Sequence, residues 1–526
     1  MLRFVLTLSA SLLLVLGTNP ASADPELHRQ MVAEPESLDP QKVSGQPEAV
    51  VLEDLFEGLL AASATGEPLP GAASSWDTTA DGLVWTFHLR TDGKWSDGDP
   101  LTAEDFVYSL RREVDPATAS PYSAALSPIA GADEIVAGHA PPASLGVAAV
   151  DAQTLKITLA RPTPWLLALL AHHAMYPVPR KAIEAFGDKW TRPGNMVSNG
   201  PYAMAGWVPH GEITIARNPN FHDAAAVKIA IVHHILADDP TAAFRRYAAG
   251  ELDNVTIPGR EVDKAKIDYP DQLHLNPVLS TTFLAIDLNR GEFADVRIRR
   301  ALSMVLDRDT LVKRVLKGAQ LPAVGLIPPG GIPGYEPPQP DWAGQPLPAR
   351  IETARQLMAA ARGVDAPPLR LTVRTVKSEQ AELIVSAIVS MWKSALGIDA
   401  TLDTSEWSVL EQDLHHDNYQ LAFYGWAADY VDPWTYLANY RSDAAQLNIS
   451  NYRNPSYDAL LDQSRQAADS NARMKLLEQA EAMLLSDQIL IPIDFGVTQT
   501  LVNPHLAGWS ASPINMHPSR YLSWTD

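Results

Sequence analysis

A secretory leader followed by a chain with no cysteine constrains this sequence more than any other feature. Met1-Leu2-Arg3 precedes an apolar run from Phe4 to Gly17, and Ala21-Ser22-Ala23 supplies a small-x-small cleavage site. The run is too short to persist as a membrane span with its flanks. Residues 1–23 are therefore predicted to be removed, with cleavage after Ala23, and no later stretch is apolar for long enough to cross a bilayer. An exported chain without disulfides depends on its own apolar core, and at 526 residues it can, because the buried fraction of surface rises with size. The missing cysteine also removes the acceptor for a bacterial lipid anchor. The expectation is a soluble monomer in a Gram-negative periplasm, not membrane-embedded.

The formal charge of −21 argues against nucleic acid as a partner, since basic patches supply that affinity. It argues equally against adhesion to anionic lipid. Length alone predicts about two to four domains. The 42 prolines are spread through loops and are densest between Pro322 and Pro348. Runs such as Pro337-Pro338-Gln339-Pro340 suit neither a helix interior nor a central strand. That segment is expected as a long ordered surface excursion.

The N-terminal third reads as α+β. Trp85 to Arg90 alternates like a half-buried strand, with Asp92-Gly93 as the following turn. Thr102-Ala103-Glu104-Asp105 opens a helix whose apolar face carries Phe106, Val107 and Leu110. Thr154 to Leu159 is a second strand. The C-terminal half alternates α and β: a helix over 296–306 with Arg297, Arg299 and Arg300 expected on solvent, a strand at 371–373, and a helix over 381–396. A strand at 398–402, a short helix over 409–416 and a strand at 420–424 follow. Two helices within 458–486 then precede a strand at 489–493. Such a βαβ lobe places ligand sites at the carboxyl ends of its strands.

Catalytic motifs are missing: no G-x-S-x-G elbow, no H-E-x-x-H, no phosphate loop and no cysteine nucleophile. Three adjacent histidine pairs, His172-His173, His233-His234 and His415-His416, read as structural or solvated, because neighbours on a strand face opposite ways and rarely share a metal. Asp92 to Asp99 imitates a calcium loop, but Lys94 stands at an oxygen-ligand position and Ala103 where the bidentate acid belongs. Neither metal nor cofactor is expected. An aromatic-rich exported chain without an engine for bond making is read as a binder.

Gly425-Trp426-Ala427-Ala428-Asp429-Tyr430-Val431-Asp432-Pro433 directly follows the strand-like run Gln420 to Tyr424. A carboxylate just beyond a strand end and a tryptophan suits a ligand ammonium, and burial would make that pairing discriminating. A surface turn with a structural aspartate is the other reading of the nonapeptide.

Several segments, in order along nearly the whole chain, resemble the periplasmic oligopeptide-binding proteins of ABC peptide importers. They include Glu36-Ser37-Leu38-Asp39-Pro40, Asp54-Leu55-Phe56-Glu57-Gly58-Leu59, Trp85 through Ser109, Val114 through Tyr122, Trp190 through Asn195, Phe293 through Arg308, and Gly425 through Pro433. The match is nearest to the enterobacterial oligopeptide-binding branch. The resemblance implies a mixed α/β and α+β, two-lobed, three-domain periplasmic-binding-protein fold (type II, cluster C) that closes by a hinge on an extended peptide and serves an inner-membrane permease. Domain I would hold 24–56, 182–279 and 498–526, domain II 57–181, and domain III 280–497. The peptide would lie between the lobes as an added strand, its side chains in roomy hydrated pockets.

Carried over residue by residue, Asp429 would grip the peptide ammonium, Trp426 and Trp407 would form pocket walls, and Tyr122 would contact ligand from domain II. The backbone of Gly425 and Ala427 would pair with the peptide. The branch's usual disulfide would join the positions of Ser280 and Ala427, so both cysteines have been lost together. The family's ligand-carboxylate partners, two arginines, a lysine and a histidine, fall on Leu414, Phe423, Leu316 and Ala381. An acidic residue at the mouth of the site becomes Ser44, and a tyrosine run becomes Asp494-Phe495-Gly496. The ammonium end thus looks retained and the carboxylate end rebuilt, either with Lys317, Lys377 or His415 as replacement cations or with Gly496 leaving room for a ligand that buries no carboxylate. A receptor for another amine-bearing solute remains open, as does a periplasmic peptidase or a holdase on the same fold.

Overall fold

The computed structural model describes residues 25–444, 447–467 and 469–525. The leader and the expected cleavage after Ala23 lie outside the described residues.

The predicted strand at Trp85 is Val84–Leu89, the middle of a four-stranded antiparallel sheet made with Ala73–Thr78, Thr154–Thr158 and Val147–Asp151. The helix Ala103–Val114 covers it, burying Phe106, Val107 and Leu110 as the spacing required. Its start is fixed by a capping box, in which the Thr102 N–H donates to Asp105 Oδ2 at 2.8 Å.

Eleven further strands form a sheet that runs through both lobes, and two small two-stranded sheets, Leu60–Ala62 with Pro68–Pro70 and Leu506–Ala507 with Ser523–Trp524, complete the set. The order in the eleven-stranded sheet is Asp399–Ser405, Arg370–Val376, Leu421–Ala427, Leu273–Ile286, Leu490–Val502, Asn254–Thr256, Glu26–Met31, Ile231–Leu236, Glu212–Arg217, Tyr202–Val208, with Leu321–Pro322 beside Leu490–Val502. Leu273–Ile286 and Leu490–Val502 lie antiparallel in the middle and connect the lobes. Their register shifts between Pro277 and Thr281 and again between Thr282 and Phe283. Pro277 has no N–H to give the ladder, so the pairing loosens there and the strands bend. The expected boundaries at 279/280 and 497/498 fall inside these two strands, beside the first shift.

One apolar cluster lies in the second lobe around Leu302, Val373, Ile388 and Trp392. A larger one around Leu52, Phe87, Phe106 and Trp190 extends into that lobe through Tyr436, Tyr457 and Leu477. A third, smaller one gathers Phe244, Val255 and Leu501. The first lobe is also tied by polar contacts between chain ends, buried at Asp54, Arg29 and Ser519 and exposed at Trp524. Asp54 accepts from Ser519 N at 2.7 Å and Ser519 Oγ at 2.6 Å, Arg29 donates to Ser519 Oγ at 2.9 Å, and Trp524 Nε1 donates to the Glu26 carbonyl at 2.9 Å.

Four sequence expectations need correction. Arg299 is buried rather than solvated, because its guanidinium donates to the Asp487 and Gln488 carbonyls and to Phe293 O, closing the end of a neighbouring helix. The strand expected at 489–493 is Leu490–Val502, thirteen residues long. The strand expected to stop at Tyr424 runs on to Ala427. The proline-rich segment is not a surface excursion: Leu326, Ile327, Tyr335 and Trp342 are buried, and Pro348 sits in the first turn of the helix Leu347–Arg362, where a missing N–H costs nothing. Glu481 anchors this segment by accepting from Leu326 N (2.8 Å), Ile327 N (2.9 Å) and the Tyr335 hydroxyl (2.5 Å).

Candidate functional site

The strand Leu421–Ala427 pairs along its whole length with Leu273–Ile286, placing Ser280 opposite Ala427 and Thr282 opposite Gly425. On its other side Arg370–Val376 reaches only Leu421 and Ala422. From Phe423 onward that edge has no strand partner among the described residues. The Ala428 N–H donates to the Leu279 carbonyl at 2.8 Å, which sets the phase of the ladder. Alternate residues bond to alternate sides, so the N–H and C=O of Gly425 and Ala427 point out along the free edge. Both residues are exposed.

Beyond this edge the chain turns through Asp429. Its carboxylate receives the Thr435 hydroxyl at 3.2 Å and the hydroxyl of Tyr122, and no cation pairs with it among the described residues. Burial outweighs those hydrogen bonds and pushes its pKa up to about 6. Tyr122 comes from the segment with the four-stranded sheet, so this contact spans the lobes. A second span lies beside it: Trp165 stacks on Trp434 with ring centroids 4.0 Å apart and planes at 17°. Arg473 stands over Trp165 at 5.6 Å and Arg465 over Trp434 at 5.4 Å. Arg473 also makes two hydrogen bonds, 2.7 and 2.8 Å, to the buried carboxylate of Asp432, and Asp432 Oδ1 accepts from Trp434 N at 2.8 Å. The Asp429–Asp432 turn is thereby held rigid from both ends.

A cleft of about 350 Å³ opens between the lobes, lined by Ser44 and Glu53 on one side, Tyr122, His172 and His173 on another, and Ser280 with Ala427 to Tyr430 on the third. This is within the usual range for ligand sites. A smaller apolar pocket next to it is walled by Phe283, Tyr424, Trp426 and His415. Neither Lys nor Arg lines the larger cleft among the described residues; its charged groups are Glu53 and Asp429. Burial holds both His172 and His173 well below the usual imidazole range, His173 at about 4, so both are neutral at pH 7.

The structure therefore gathers Asp429, Ala427 and Tyr122 at one cleft, with Trp426 on the adjoining pocket. Trp407 stands outside both, half exposed, stacked on Tyr424 at 5.8 Å and 4°. Phe423 points to the opposite face of its strand and packs on the core of the second lobe. Gly496 faces Val278 and Ser280: a Cβ there would lie 3.0 Å from one and 3.1 Å from the other, so its vacancy is filled by those side chains rather than left for ligand. Leu316, Ala381 and Leu414 are core residues. Lys317 and Lys377 are exposed away from the cleft, Lys377 being 3.9 Å from Glu406, whereas His415 lines the smaller pocket.

Sequence reasoning missed Glu53 and the Trp165–Trp434 stack. Glu53 and Asp54 are adjacent acids on the helix Gln46–Leu55, which also carries Glu48, and it is the fold that buries them. The pair His233-His234 does face opposite ways, and His233 meets His28 rather than its neighbour. Glu26, His28 and His233 bring possible ligand atoms within 4.8 Å of one another. The two rings are stacked at 4.9 Å with planes 6° apart, so their in-plane lone pairs run side by side and do not converge on one ion.

Residues 67–448 match the model of the bacterial extracellular solute-binding proteins, family 5 (middle region). The chain belongs to this family. Among its relatives, the periplasmic oligopeptide-binding protein OppA of Escherichia coli is 38% identical over 488 residues, covering 92% of this chain and 89% of that protein. The solved structure of the E. coli murein tripeptide binding protein MppA matches with a TM-score of 0.85 and 36% identity over 96% of this chain and 99% of that one. Haemophilus influenzae OppA in complex with the peptide RPPGFSPFR matches with a TM-score of 0.83 and 33% identity, over 96% and 100%. The family assignment agrees with the mixed α/β, two-lobed architecture, and no helix among the described residues is long and apolar enough to cross a membrane.

Proposed function

We propose that the protein is the periplasmic substrate-binding receptor of an ABC importer, capturing oligopeptides between its lobes and delivering them to the membrane permease. The observation that carries this reading is the free edge at Gly425 and Ala427 leading directly to an unpaired, half-buried carboxylate, Asp429. An extended peptide added to that edge gains main-chain hydrogen bonds whatever its sequence, and Asp429 receives its ammonium. In this reading the protein is exported with cleavage after Ala23, acts as a monomer and performs no chemistry. The domain division given above belongs to the same proposal, with the lobes turning about Leu273–Ile286 and Leu490–Val502 near the register shift.

The test is calorimetry with a tripeptide and the Asp429→Ala variant. Leaving a buried cation unpaired costs about 3–5 kcal/mol, a loss of at least about a hundredfold in affinity, with the melting temperature unchanged. Binding within about twofold of wild type discards the assignment.

A second reading concerns the ligand's other end, and the observation that favours it is the absence of Lys and Arg from the lining of the cleft. An unpaired terminal carboxylate buried there would be strongly unfavourable. The preferred ligand then presents none, being longer, amidated or conjugated, as a cell-wall peptide or a C-terminally modified peptide would be. A tripeptide amide is expected to bind as well as its free acid or better. A tenfold preference for the acid, about 1.4 kcal/mol, would show a replacement cation, with His415 the first candidate.

A further inference from the structure

We propose that Glu53 is a second cation-binding group in this cleft, so that the ligand carries two positive charges: the ammonium at Asp429 and the ammonium or guanidinium of a basic side chain at Glu53. The proposal rests on the peptide reading above and sharpens it to a class of peptide.

Gln46, Ala49 and Glu53 all line the cleft. Their spacing of three and four residues puts them on one face of the helix Gln46–Leu55, which is the face turned to ligand. Glu53 is 8% exposed, yet its carboxylate has neither a hydrogen bond nor an ion pair among the described residues, only longer-range charges around it. Its oxygens are not among the fully buried side-chain atoms that lack a partner, so they meet the solvent of the cleft, where a ligand group can reach them.

The neighbouring groups are already committed elsewhere. Arg29, from the strand Glu26–Met31, donates to Ser519 and to the His517 carbonyl and lies 3.8 Å from Asp54. Arg520, from the C-terminal turn, holds Glu57 at 2.8 Å. Asp54, next in the helix, already supplies the acid that ties down Ser519. None of these groups hydrogen-bonds or ion-pairs with Glu53. A ligand with one positive charge would satisfy Asp429 and leave this carboxyl group stranded opposite it.

Burial and the adjacent Asp54 push Glu53 up to about 8, against the smaller pull of Arg520 and Arg29, with Tyr176 packed close by. Free protein at pH 7 therefore holds Glu53 mostly protonated. A bound cation favours the carboxylate, so engaging it expels a proton, and affinity for the second charge rises as pH climbs towards 8.

The experiment is calorimetry on wild-type protein and Glu53→Gln, a near-isosteric change that removes only the charge. Trialanine is compared with tripeptides carrying one lysine at each position in turn, each matched by norleucine, which has a similar apolar stem and no charge. At one position lysine is expected to bind at least tenfold more tightly than norleucine. Glu53→Gln should bring that ratio to within twofold, each peptide being compared with its norleucine partner on the same protein. In buffers of different ionisation enthalpy, the lysine peptide should release more protons at pH 7 than its norleucine partner. Trialanine binding with lysine and norleucine equal at all three positions, or a lysine preference unchanged in Glu53→Gln, overturns this proposal alone. No binding by any of these peptides removes the peptide reading and this proposal with it.

Discussion

Asp429 combines two properties that give opposite signs when the pH changes. Its folded pKa of about 6 lies above the ordinary aspartate value. Its contribution to stability is therefore present at low pH and is lost as the pH rises through about 6, because folding then buries a charge. Ligand binding runs the other way, since only the carboxylate pairs with an ammonium. Affinity for a peptide without charged side chains should be flat near pH 7 and fall progressively below 6, read by calorimetry against Asp429→Asn, whose weak binding should show no such slope. The position of Asp429 at the cleft agrees with the sequence, where the nonapeptide alone left a surface turn with a structural aspartate open. Glu53 was not legible in the sequence: an acid on a half-apolar helix is ordinarily a solvated one, and only the fold shows that this helix faces a cleft. Arg299 was misplaced for the same reason, its position in an arginine-rich turn suggesting solvent until the neighbouring helix end supplied carbonyls to bind.

The strands show where sequence patterns stop. Val84–Leu89 and Thr154–Thr158 were legible because one face of each is buried and the alternation survives. Leu490–Val502 was read as five residues because Pro492, Asp494 and Gly496 interrupt its apolar run. Those residues are tolerated where the strand passes from one lobe to the other beside the register shifts of its neighbour. Ser280 and Ala427 are direct partners on adjacent antiparallel strands, and the ladder phase makes them a non-hydrogen-bonded pair, the closer of the two kinds. The double variant Ser280→Cys, Ala427→Cys should therefore oxidise without strain. The closed loop is long, so a gain of about 2–4 kcal/mol is expected, seen as loss of free thiol with a higher melting temperature. Free thiols persisting after export would mean that the two positions are farther apart than the register places them.

At the scale of the molecule, the order of segments along the chain and the two-lobed form were legible through resemblance, since the matched motifs cover nearly its full length. The contacts between lobes were not, because Trp165 and Trp434 lie far apart in sequence and neither carries a local pattern. Neither ring lines the cleft, so Trp165→Ala should weaken every peptide by one common factor. The pair is worth about 0.5–1.5 kcal/mol, or roughly three- to tenfold, with selectivity preserved. A change in rank order among peptides would show that the stack shapes the pocket instead of holding the lobes together. The tie between chain ends has a different consequence. The strand Glu26–Met31 and the helix bearing Asp54 are completed by Ser519 and Trp524, so under the proposed export a chain threaded N-terminus first would finish its first lobe only once its last few residues were through.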